Sequence, residues 1–366
     1  MMTAKVFLLD YISALSKKNN VTVIANTDEV EFFNNRGLHV RILPVRIERR
    51  IMPLMDIRAL FHLTYLFQKH RFEFIHSITP KAGLLAMMAG FLVRVPIRIH
   101  TFTGQVWATR KGLSRRILKQ ADRLIASLAT NILVDSFSQK AFLIRESVVS
   151  ESKANVLANG SICGVDTERF CFDEDARLEI RSREGIREND IVFLYVGRLN
   201  KDKGLLDLAR AYSIVRREYD NVHLIIVGPD EENIPFRMKE ICGSCSDNLH
   251  FIGYANVPEH YMSAADVICL PSYREGFGNV IIEGACVGIP AIGSRIYGIT
   301  DAIDEGVTGL LYEVGDVEDL SRKMKVLLAS PELIKKMGEA ARNRAIRYFS
   351  KETLTSAMIE YCEDLV

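Results

Sequence analysis

Short runs of apolar and β-branched residues alternate with longer amphipathic segments along the whole chain. In the first half, the runs that predict strands are residues 21–25, 39–43, 74–77, 97–101, 131–134 and 155–157. In the second half, they are residues 191–196, 223–227, 249–252, 267–270, 290–293 and 309–312. The segments between them, such as 205–217 and 317–329, carry apolar residues at helical spacing. Strands that alternate with helices in this way predict an α/β fold with parallel sheets covered by helices on both faces.

The alternation repeats in both halves, so we expect two doubly wound, Rossmann-like domains that face each other across a cleft. The chain has 366 residues, more than one hydrophobic core usually serves. We place the first domain at residues 1–165 and the second at 166–349, with a hinge in the glycine- and aspartate-punctuated stretch 159–172. Ligands of such sheets bind beyond the carboxyl ends of the strands, so the expected site is the cleft.

The first element departs from this scheme. Residues 6–17 have the apolar spacing of a helix, and the strand at 21–25 follows directly. A doubly wound domain normally begins with a strand and a loop. We therefore expect that the sequence as given lacks about ten to fifteen N-terminal residues, the length of an ordinary strand and loop. The alternative is a domain with an unusual start.

The composition excludes several classes of protein. Apolar residues make up 48% and charged residues 25% of the chain, which is typical of a globular protein and not of a disordered or fibrous one. The longest nearly apolar run, residues 82–93, is too short for a membrane span, which needs about 20 residues. The N-terminus of the sequence lacks the pattern of a signal peptide, so we expect a cytoplasmic protein. The seven cysteines form no disulfide scaffold, and the pair Cys242 and Cys245 lacks a second pair, so no metal and no cofactor are predicted.

The charge is distributed unevenly. Residues 1–165 contain 23 lysines and arginines against 11 acidic residues, a net charge of +12, and the remainder has a net charge of −11. Because no nucleic-acid-binding motif is present, we expect an anionic membrane surface or a phosphate-rich acceptor, and no nucleic acid, as partner of the basic half. The basic amphipathic stretch 110–123 suits a membrane interface, and equally a surface helix with its apolar face on the core. The apolar stretch 51–71 is expected to be core.

The first candidate site follows the strand at 191–196. Gly197 frees the backbone where the strand ends, and Arg198 and Lys203 lie on a loop that can turn both cations toward one point. Gly204 comes next and opens a helix, whose first N–H groups add a positive dipole end. This arrangement suits a diphosphate.

The second candidate site follows the strand at 267–270. Gly276 and Gly278 allow the main chain to approach a ligand at the start of a helix. Glu275 lies in the loop, and Glu283 follows eight residues later, about two helical turns on. A carboxylate can accept hydrogen bonds from two neighbouring hydroxyl groups, as sugars and riboses offer. Together with the cations of the first site, the two glutamates indicate a sugar nucleotide.

With these motifs in place, the second half of the chain resembles the retaining GT-B glycosyltransferases of family 4. That family shows Gly-Arg followed by Lys-Gly, then Glu-Gly-Phe-Gly with a second Glu eight positions later, as at residues 197–204 and 275–283. The resemblance is strong over residues 155–350 and weaker over 20–155. It implies two Rossmann-like domains, with the terminal helix, residues 350–366, returning to the first.

The resemblance also implies residue roles in a metal-independent sugar transfer with retention. Arg198 and Lys203 are expected to hold the diphosphate and to neutralise the leaving group. Glu275 is expected to bind hydroxyl groups of the transferred sugar, and Glu283 the ribose. Additional contacts are expected from Gly197, from the amides of Gly276, Phe277 and Gly278, and from Asn279 and Val280.

The first half departs from the family at one turn. Many relatives carry a histidine in a Thr-x-His-Gly-like turn that contacts the donor sugar, and Thr103 occupies that position here. Thr103 and Gly104 are still expected to line the cleft. His100 lies three residues earlier, and it is either a ligand contact or a histidine at the end of a strand.

These observations lead to one principal hypothesis and two alternatives. The principal one is a glycosyltransferase that moves a sugar from a nucleoside-diphosphate sugar to a lipid-linked or saccharide acceptor during bacterial capsule or O-antigen synthesis. Its expected place is the inner face of the bacterial plasma membrane, as a peripheral protein. Nothing in the residues distinguishes uracil from guanine, and a UDP-linked donor is the working expectation. The alternatives are a sugar-nucleotide epimerase of the same architecture and a non-catalytic binding protein for nucleotide sugars.

Overall fold

The computed structural model describes residues 7–48 and 50–365, which form two compact units. The first unit consists of the described residues up to Cys163, together with those from Lys351 onward. The second unit is the continuous segment Gly164–Ser350. The chain therefore leaves the first unit once and returns to it with its last helix.

The first unit alternates strands and helices. Its elements in chain order are α1 Leu9–Ser16, β1 Thr22–Ala25, β2 Arg41–Pro44, α2 Pro53–His70, β3 Phe74–Ser77, α3 Pro80–Leu92, β4 Ile97–Phe102, α4 Gly112–Leu128, β5 Asn131–Val134, α5 Phe137–Arg145 and β6 Ala154–Val156. Strands β1 and β2 pair in parallel as one sheet, and β3, β4, β5 and β6 pair in parallel in that order as another. The helix predicted over residues 6–17 is observed at Leu9–Ser16. The expected opening strand concerns residues outside the given sequence, so it stays a prediction.

The terminal helix Lys351–Glu363 packs in the first unit against α1. Tyr11 of α1 lies in one buried cluster with Met358 and Cys362 of the terminal helix and with Ile99 and Leu133 of the four-stranded sheet. The hydroxyl of Tyr11 and the thiol of Cys362 are 3.4 Å apart. Two segments from opposite ends of the sequence thus cover one face of this sheet.

The second unit is built on a single six-stranded sheet. Its elements are α6 Glu174–Arg183, β7 Ile191–Val196, α7 Leu205–Arg216, β8 Val222–Val227, α8 Ile234–Cys242, β9 Leu249–Gly253, α9 Pro258–Ala264, β10 Val267–Leu270, α10 Asn279–Val287, β11 Ala291–Ser294, α11 Ile299–Ala302, β12 Gly309–Tyr312, α12 Val317–Leu328 and α13 Pro331–Phe349. The terminal helix of the first unit is α14. The strand order is β12-β11-β10-β7-β8-β9, with every pair parallel.

The predicted α/β fold is confirmed. Each observed strand in the described chain overlaps one of the predicted runs, and all the sheets are parallel. The central strands β8 and β10 are buried along their whole length, as expected for a sheet with helices on both faces. Their apolar, β-branched composition therefore identified them correctly.

Helix α2 corrects the expectation that residues 51–71 are core. Leu63 and Phe67 are buried, but Leu54 is 78% exposed and Phe61 is 71% exposed. Ile57 and Tyr65 are also more than half exposed, on the same helical stripe as Leu54 and Phe61. The helix has apolar residues on two sides, and only one side meets the core, so composition alone overestimated its burial.

Helix α4 also has one buried side and one exposed side, and two of its cations form ion pairs. Ile125 is buried, whereas Leu113 and Ile117 are exposed. Arg115 and Lys119 both form ion pairs with Glu146, at 2.9 and 2.7 Å. Further exposed residues of this stretch are Arg110, Lys111, Arg116 and Leu124.

Among the helices of the described residues, none combines the length and the apolar character that crossing a bilayer would require.

Candidate functional site

The loop after β7 is held directly against the loop after β10. Residues Lys201–Lys203 form a 3-10 turn that ends at Gly204, whose φ is +67°. A Cβ atom on Gly204 would lie 1.9 Å from the carbonyl oxygen of Pro271. Only glycine fits both this left-handed conformation and this close approach. The sequence motif Lys-Gly therefore fixes how the two loops pack.

The side chains of Lys203 and Glu275 form an ion pair across these loops. The Nζ of Lys203 lies 2.5 Å from Oε1 of Glu275. The hydroxyl of Ser272 donates a hydrogen bond of 2.7 Å to the same oxygen. Both members of the pair are mostly buried. Residues from the two motifs that the sequence singled out thus meet at one place, where a cation and a carboxylate are side by side.

Arg198 is paired with a different carboxylate, which the sequence did not single out. Its guanidinium lies 3.1 Å from Glu231, which also accepts a 2.8 Å hydrogen bond from Asn200. The hydroxyl of Tyr195 donates to the carbonyl of Arg198 at 2.9 Å and so fixes the backbone there. Arg198 and Lys203 therefore have different carboxylate partners, and their joint role at a diphosphate stays a prediction. Glu231 follows β8, and its position just after a strand end was the signal available in the sequence.

The second motif places backbone groups at the start of α10. Gly278 is the N-cap residue, with φ of +82°, and no side chain caps the helix. A Cβ atom on Gly298 would lie 2.3 Å from the carbonyl oxygen of Gly276, so this turn is also packed against backbone. Asn279 and Val280 form the first turn of the helix. The start of a helix can present backbone N–H groups to an anion.

Phe277 contributes to this site through its backbone only. Its side chain is buried in the core of the second unit, with its ring centroid 5.2 Å from that of Phe349. The ring anchors the glycine-rich turn, so only the amide of this residue can face a ligand.

Glu283 lies one turn further along α10, in surroundings that oppose its ionisation. Burial raises its pKa to about 7, the charge of Glu259 adds to this rise, and Arg169 acts against it. Arg169 itself pairs with Glu259 at 2.8 Å. Neither Arg169 nor Glu259 was recognised from the sequence, because their contact joins segments 90 residues apart.

In the first unit, His100 is a packed core residue rather than an exposed one. Its side chain is fully buried, and its Nδ1 lies 2.8 Å from the hydroxyl oxygen of Ser77. The ring fills the space next to Gly83, where a Cβ atom would come within 2.3 Å of it. Burial, with a smaller contribution from His76, lowers the pKa of His100 to about 3. Its Nε2 is buried and has no hydrogen-bond partner among the described residues, and both interpretations of this histidine stay predictions.

The turn at Thr103 and Gly104 is fixed by two glutamine side chains. The carbonyl oxygen of Thr103 accepts hydrogen bonds of 2.7 Å from the side-chain amides of both Gln105 and Gln139. Gln105 and Gln139 are buried. The turn follows β4 at the carboxyl end of the sheet, where ligands of parallel sheets bind.

Family profiles match both halves of the chain. The profile described as glycosyl transferases group 1 matches residues 176–344, and that of the glycosyl transferase 4-like domain matches residues 6–160. The capsular polysaccharide biosynthesis glycosyltransferase CapM of Staphylococcus aureus is 31% identical over 346 residues, which are 94% of this chain and 90% of CapM. The chain belongs to the group 1 glycosyltransferases. The resemblance to this glycosyltransferase family, stated from the motifs at 197–204 and 275–283, is thereby confirmed.

Two further similarities extend this result. The UDP-Gal:α-D-GlcNAc-diphosphoundecaprenol α-1,3-galactosyltransferase of Escherichia coli is 27% identical over 310 residues, covering 82% of this chain and 78% of that enzyme. The structure of Anabaena HepE in complex with UDP-glucose superposes with a TM-score of 0.80 at 18% identity, covering 99% of this chain and 96% of HepE. The fold of this glycosyltransferase is GT-B.

The described part of this glycosyltransferase contains no cluster of three or more histidine, cysteine or acidic side chains suited to hold a metal ion. Cys242 and Cys245, the pair noted in the sequence, are both free thiols. Lys203 and Arg198 are the side-chain cations that pair with Glu275 and Glu231.

Proposed function

We propose that this glycosyltransferase transfers a sugar, with retention and without a metal ion, from a UDP-sugar to a lipid-diphosphate-linked saccharide. The product would belong to a surface polysaccharide such as capsule or O-antigen. The ion pair of Lys203 and Glu275 is the observation that carries this proposal, because it puts a phosphate-binding cation next to a hydroxyl-binding carboxylate. A sugar diphosphate carries phosphate groups next to sugar hydroxyl groups, so one ligand can contact both side chains.

The proposed chemistry is electrostatic. Lys203 and Arg198 neutralise the charge that develops on the diphosphate as the glycosidic bond breaks, a task that divalent cations perform in other sites. Glu275 holds hydroxyl groups of the transferred sugar, and Ser272 keeps this carboxylate in place. Glu283 accepts hydrogen bonds from the ribose, and the N–H groups at the start of α10 face the phosphates.

The choice of donor and acceptor is supported by relatives. The E. coli relative is named for UDP-Gal and for a diphosphoundecaprenol-linked acceptor, and HepE was crystallised with UDP-glucose. The basic first half of the chain, with its net charge of +12 up to residue 165, is suited to an acceptor that carries a diphosphate.

A peripheral position on an anionic membrane follows from two surfaces of the first unit. The exposed apolar stripe of α2 contains Leu54 and Phe61, and the exposed side of α4 contains Leu113 and Ile117 beside Arg116. Exposed apolar side chains next to unpaired cations suit the interface of an anionic bilayer, which takes up both. This proposal places the protein at the cytoplasmic face of the membrane, where a lipid-linked acceptor is available.

The first experiment is a thermal-shift screen against UDP, GDP, ADP, CMP and their sugars. A ligand that binds only the folded protein at about 100 times its dissociation constant adds about 2.7 kcal/mol of stability, which is readily detected. We expect a selective rise with UDP and one of its sugars. A uniform absence of shifts in well-folded protein would contradict the proposed donor.

The second experiment tests transfer. A synthetic acceptor, N-acetylglucosamine diphosphate on a shortened lipid, is incubated with each UDP-sugar in EDTA, and NMR of the product gives the anomeric configuration. Release of UDP with formation of an α-linked disaccharide supports the proposal. Conversion of the UDP-sugar into its epimer without an acceptor would indicate the epimerase instead, and binding without turnover would indicate the non-catalytic alternative.

The membrane surface is tested separately with sedimentation of vesicles that contain anionic lipid. The double variant Leu54→Ser and Phe61→Ser should bind these vesicles less than the wild type. Phe236→Ser is the matched control, because Phe236 is an exposed aromatic residue of the second unit. Equal binding by all three proteins would exclude α2 as the membrane contact.

A further inference from the structure

Asp135 is a buried carboxylic acid without a partner at the end of a central strand of the first unit. It follows β5 directly, and only 4% of its surface is exposed. Its Oδ1 has no hydrogen-bond partner among the described residues. Other buried aspartates of this chain are satisfied, since Asp122 accepts a 2.7 Å hydrogen bond from Trp107 and Asp190 lies 3.2 Å from His223.

No structural task accounts for this side chain. The N-cap of α5 is Ser136, whose hydroxyl accepts a 3.1 Å hydrogen bond from the backbone of Gln139. The backbone of Asp135 is itself held, since its N–H donates to the side chain of Gln139 at 2.7 Å and its carbonyl accepts from Ser161 at 2.7 Å. The carboxyl group takes part in none of these bonds. The loop would keep this hydrogen bonding with a different side chain at position 135.

The buried carboxyl group of Asp135 destabilises the folded state. Burial without an opposing cation raises the pKa of Asp135 to about 8. A buried polar group without a partner destabilises a fold and needs an explanation, and a ligand that completes its hydrogen bonding is one. An asparagine or serine would fit the same loop at lower cost. The chain therefore carries an ionisable group that its own fold does not use.

The neighbours of Asp135 show where a ligand would lie. The side chain of Gln139 bonds to the N–H of Asp135 through Oε1 and to the carbonyl of Thr103 through Nε2. One amide group thus joins the loop after β5 to the turn after β4, and these strands are parallel neighbours. Asp135 and Thr103 lie together at the carboxyl end of the sheet, where ligands of parallel sheets bind.

We propose that Asp135 binds hydroxyl groups of the acceptor saccharide and helps to select which acceptor is used. A carboxyl group suits this task because it accepts hydrogen bonds from hydroxyl groups when ionised, and it also donates one when protonated. The ligand class is a saccharide with neighbouring free hydroxyl groups, bound in the first unit. This inference rests on the proposed glycosyl transfer, and it assigns to the first unit a substrate contact separate from the UDP contacts of the second.

The test compares Asp135→Asn and Asp135→Ser with the wild type. Saturation-transfer NMR, with UDP present throughout, measures the binding of free N-acetylglucosamine, N-acetylgalactosamine, galactose, glucose and mannose. We expect at least one of these sugars to bind the wild type and to bind both variants up to about tenfold more weakly, the range for loss of a side-chain hydrogen bond. With the synthetic acceptor, KM for the acceptor should rise and the affinity for UDP should stay unchanged.

If Asp135 has a purely structural role, the opposite results are expected. The variants should then melt at a lower temperature than the wild type and bind the sugars equally well. Our proposal expects a melting temperature that is equal or higher, because an uncompensated buried carboxyl group is removed. Asp122→Asn is the control, since Asp122 is buried but already bonded to Trp107.

The outcomes separate this inference from the proposed function. If UDP produces no thermal shift in the wild type, the proposed function is wrong, whatever Asp135 does. If UDP binds and no sugar in the panel shows a difference between the wild type and the Asp135 variants, the inference about Asp135 is wrong and the proposed donor stands.

Discussion

Lys203 and Glu275 are 72 residues apart in the sequence, and the Nζ of one lies 2.5 Å from the Oε1 of the other. The contact follows from topology. Lys203 is in the loop after β7 and Glu275 in the loop after β10, and these two strands are parallel neighbours in the six-stranded sheet. The carboxyl ends of neighbouring parallel strands meet at one edge, so the two loops come together there.

Removal of the Lys203 cation should weaken nucleotide binding. For Lys203→Ala we expect UDP affinity to fall by about 1.5–3 kcal/mol, the usual contribution of a hydrogen bond to a charged group. Titration calorimetry with UDP measures this. Lys201→Ala is the matched control, because Lys201 lies in the same loop with an exposed side chain. Equal losses in both variants would mean that the loop acts through its general positive charge.

Neutralising Glu275 should separate binding from transfer. Glu275→Gln keeps a carbonyl oxygen for the hydroxyl of Ser272, so we expect UDP affinity to stay near that of the wild type. The turnover number should fall at least tenfold, because the neutral amide binds the hydroxyl groups of the sugar less strongly. Calorimetry with UDP and a transfer assay together give both values. Wild-type turnover in this variant would rule out the role assigned to Glu275.

Gly204 should tolerate no side chain. A Cβ atom there would lie 1.9 Å from the carbonyl of Pro271, in addition to the strain of φ at +67°. Gly185→Ala is the matched control, since Gly185 has φ of +68° and open space around it. We expect the control to lose about 1–2 kcal/mol of unfolding free energy, the cost of the left-handed conformation alone.

The loss for Gly204→Ala should be clearly larger, and UDP binding should weaken as well. Denaturation in urea and the UDP thermal shift measure the two effects. If both variants lose the same free energy, the close approach to Pro271 does not restrain this loop.

The affinity for a UDP-sugar should depend on pH through Glu283. Burial is the main cause that raises its pKa to about 7, so the carboxyl group is partly protonated at neutral pH. The ribose hydroxyl groups donate hydrogen bonds, so they bind the ionised form better. Affinity for UDP-glucose, which has no ionisation of its own in this range, should therefore rise between pH 6 and pH 8.

In Glu283→Gln the affinity should be lower and should no longer change over this range. The same raised pKa lowers the unfolding free energy of the unliganded protein as pH rises from 4.5 through 7. The reason is that Glu283 ionises at a pKa of 4.5 in the unfolded chain and at about 7 in the folded protein. A parallel pH dependence in wild type and variant would show that another group is responsible.

Much of the fold was predictable because it depends on local patterns. The apolar runs at 191–196 and 267–270 could only be buried strands, since they are short, rich in β-branched residues and bounded by turns. The glycines at 197, 204 and 278 marked places where the backbone takes a conformation that other residues resist. These features act over a few residues, so they are readable without the tertiary structure.

Two features could not be predicted from the local pattern, the exposure of one side of α2 and the ion-pair partners of Arg198 and Lys203. The apolar residues of α2 lie on two sides of the helix, and only the packed unit shows that Leu54 and Phe61 are exposed. Arg198 and Lys203 looked equivalent in the sequence, yet one pairs with Glu231 and the other with Glu275. The choice of partner depends on which strand ends are neighbours, and strand order is not encoded in any local stretch.

By itself, the sequence determined the α/β fold, its division into two halves, and the motifs that mark a glycosyltransferase, because periodicity and glycine placement act locally. Only the tertiary structure decided that Lys203 meets Glu275, that His100 is packed in a core, and that the buried carboxyl group of Asp135 has no partner among the described residues. Contacts and burial depend on segments that are distant in the sequence. Pairing, desolvation and the pKa values that follow from them therefore become visible only once the sheets are assembled.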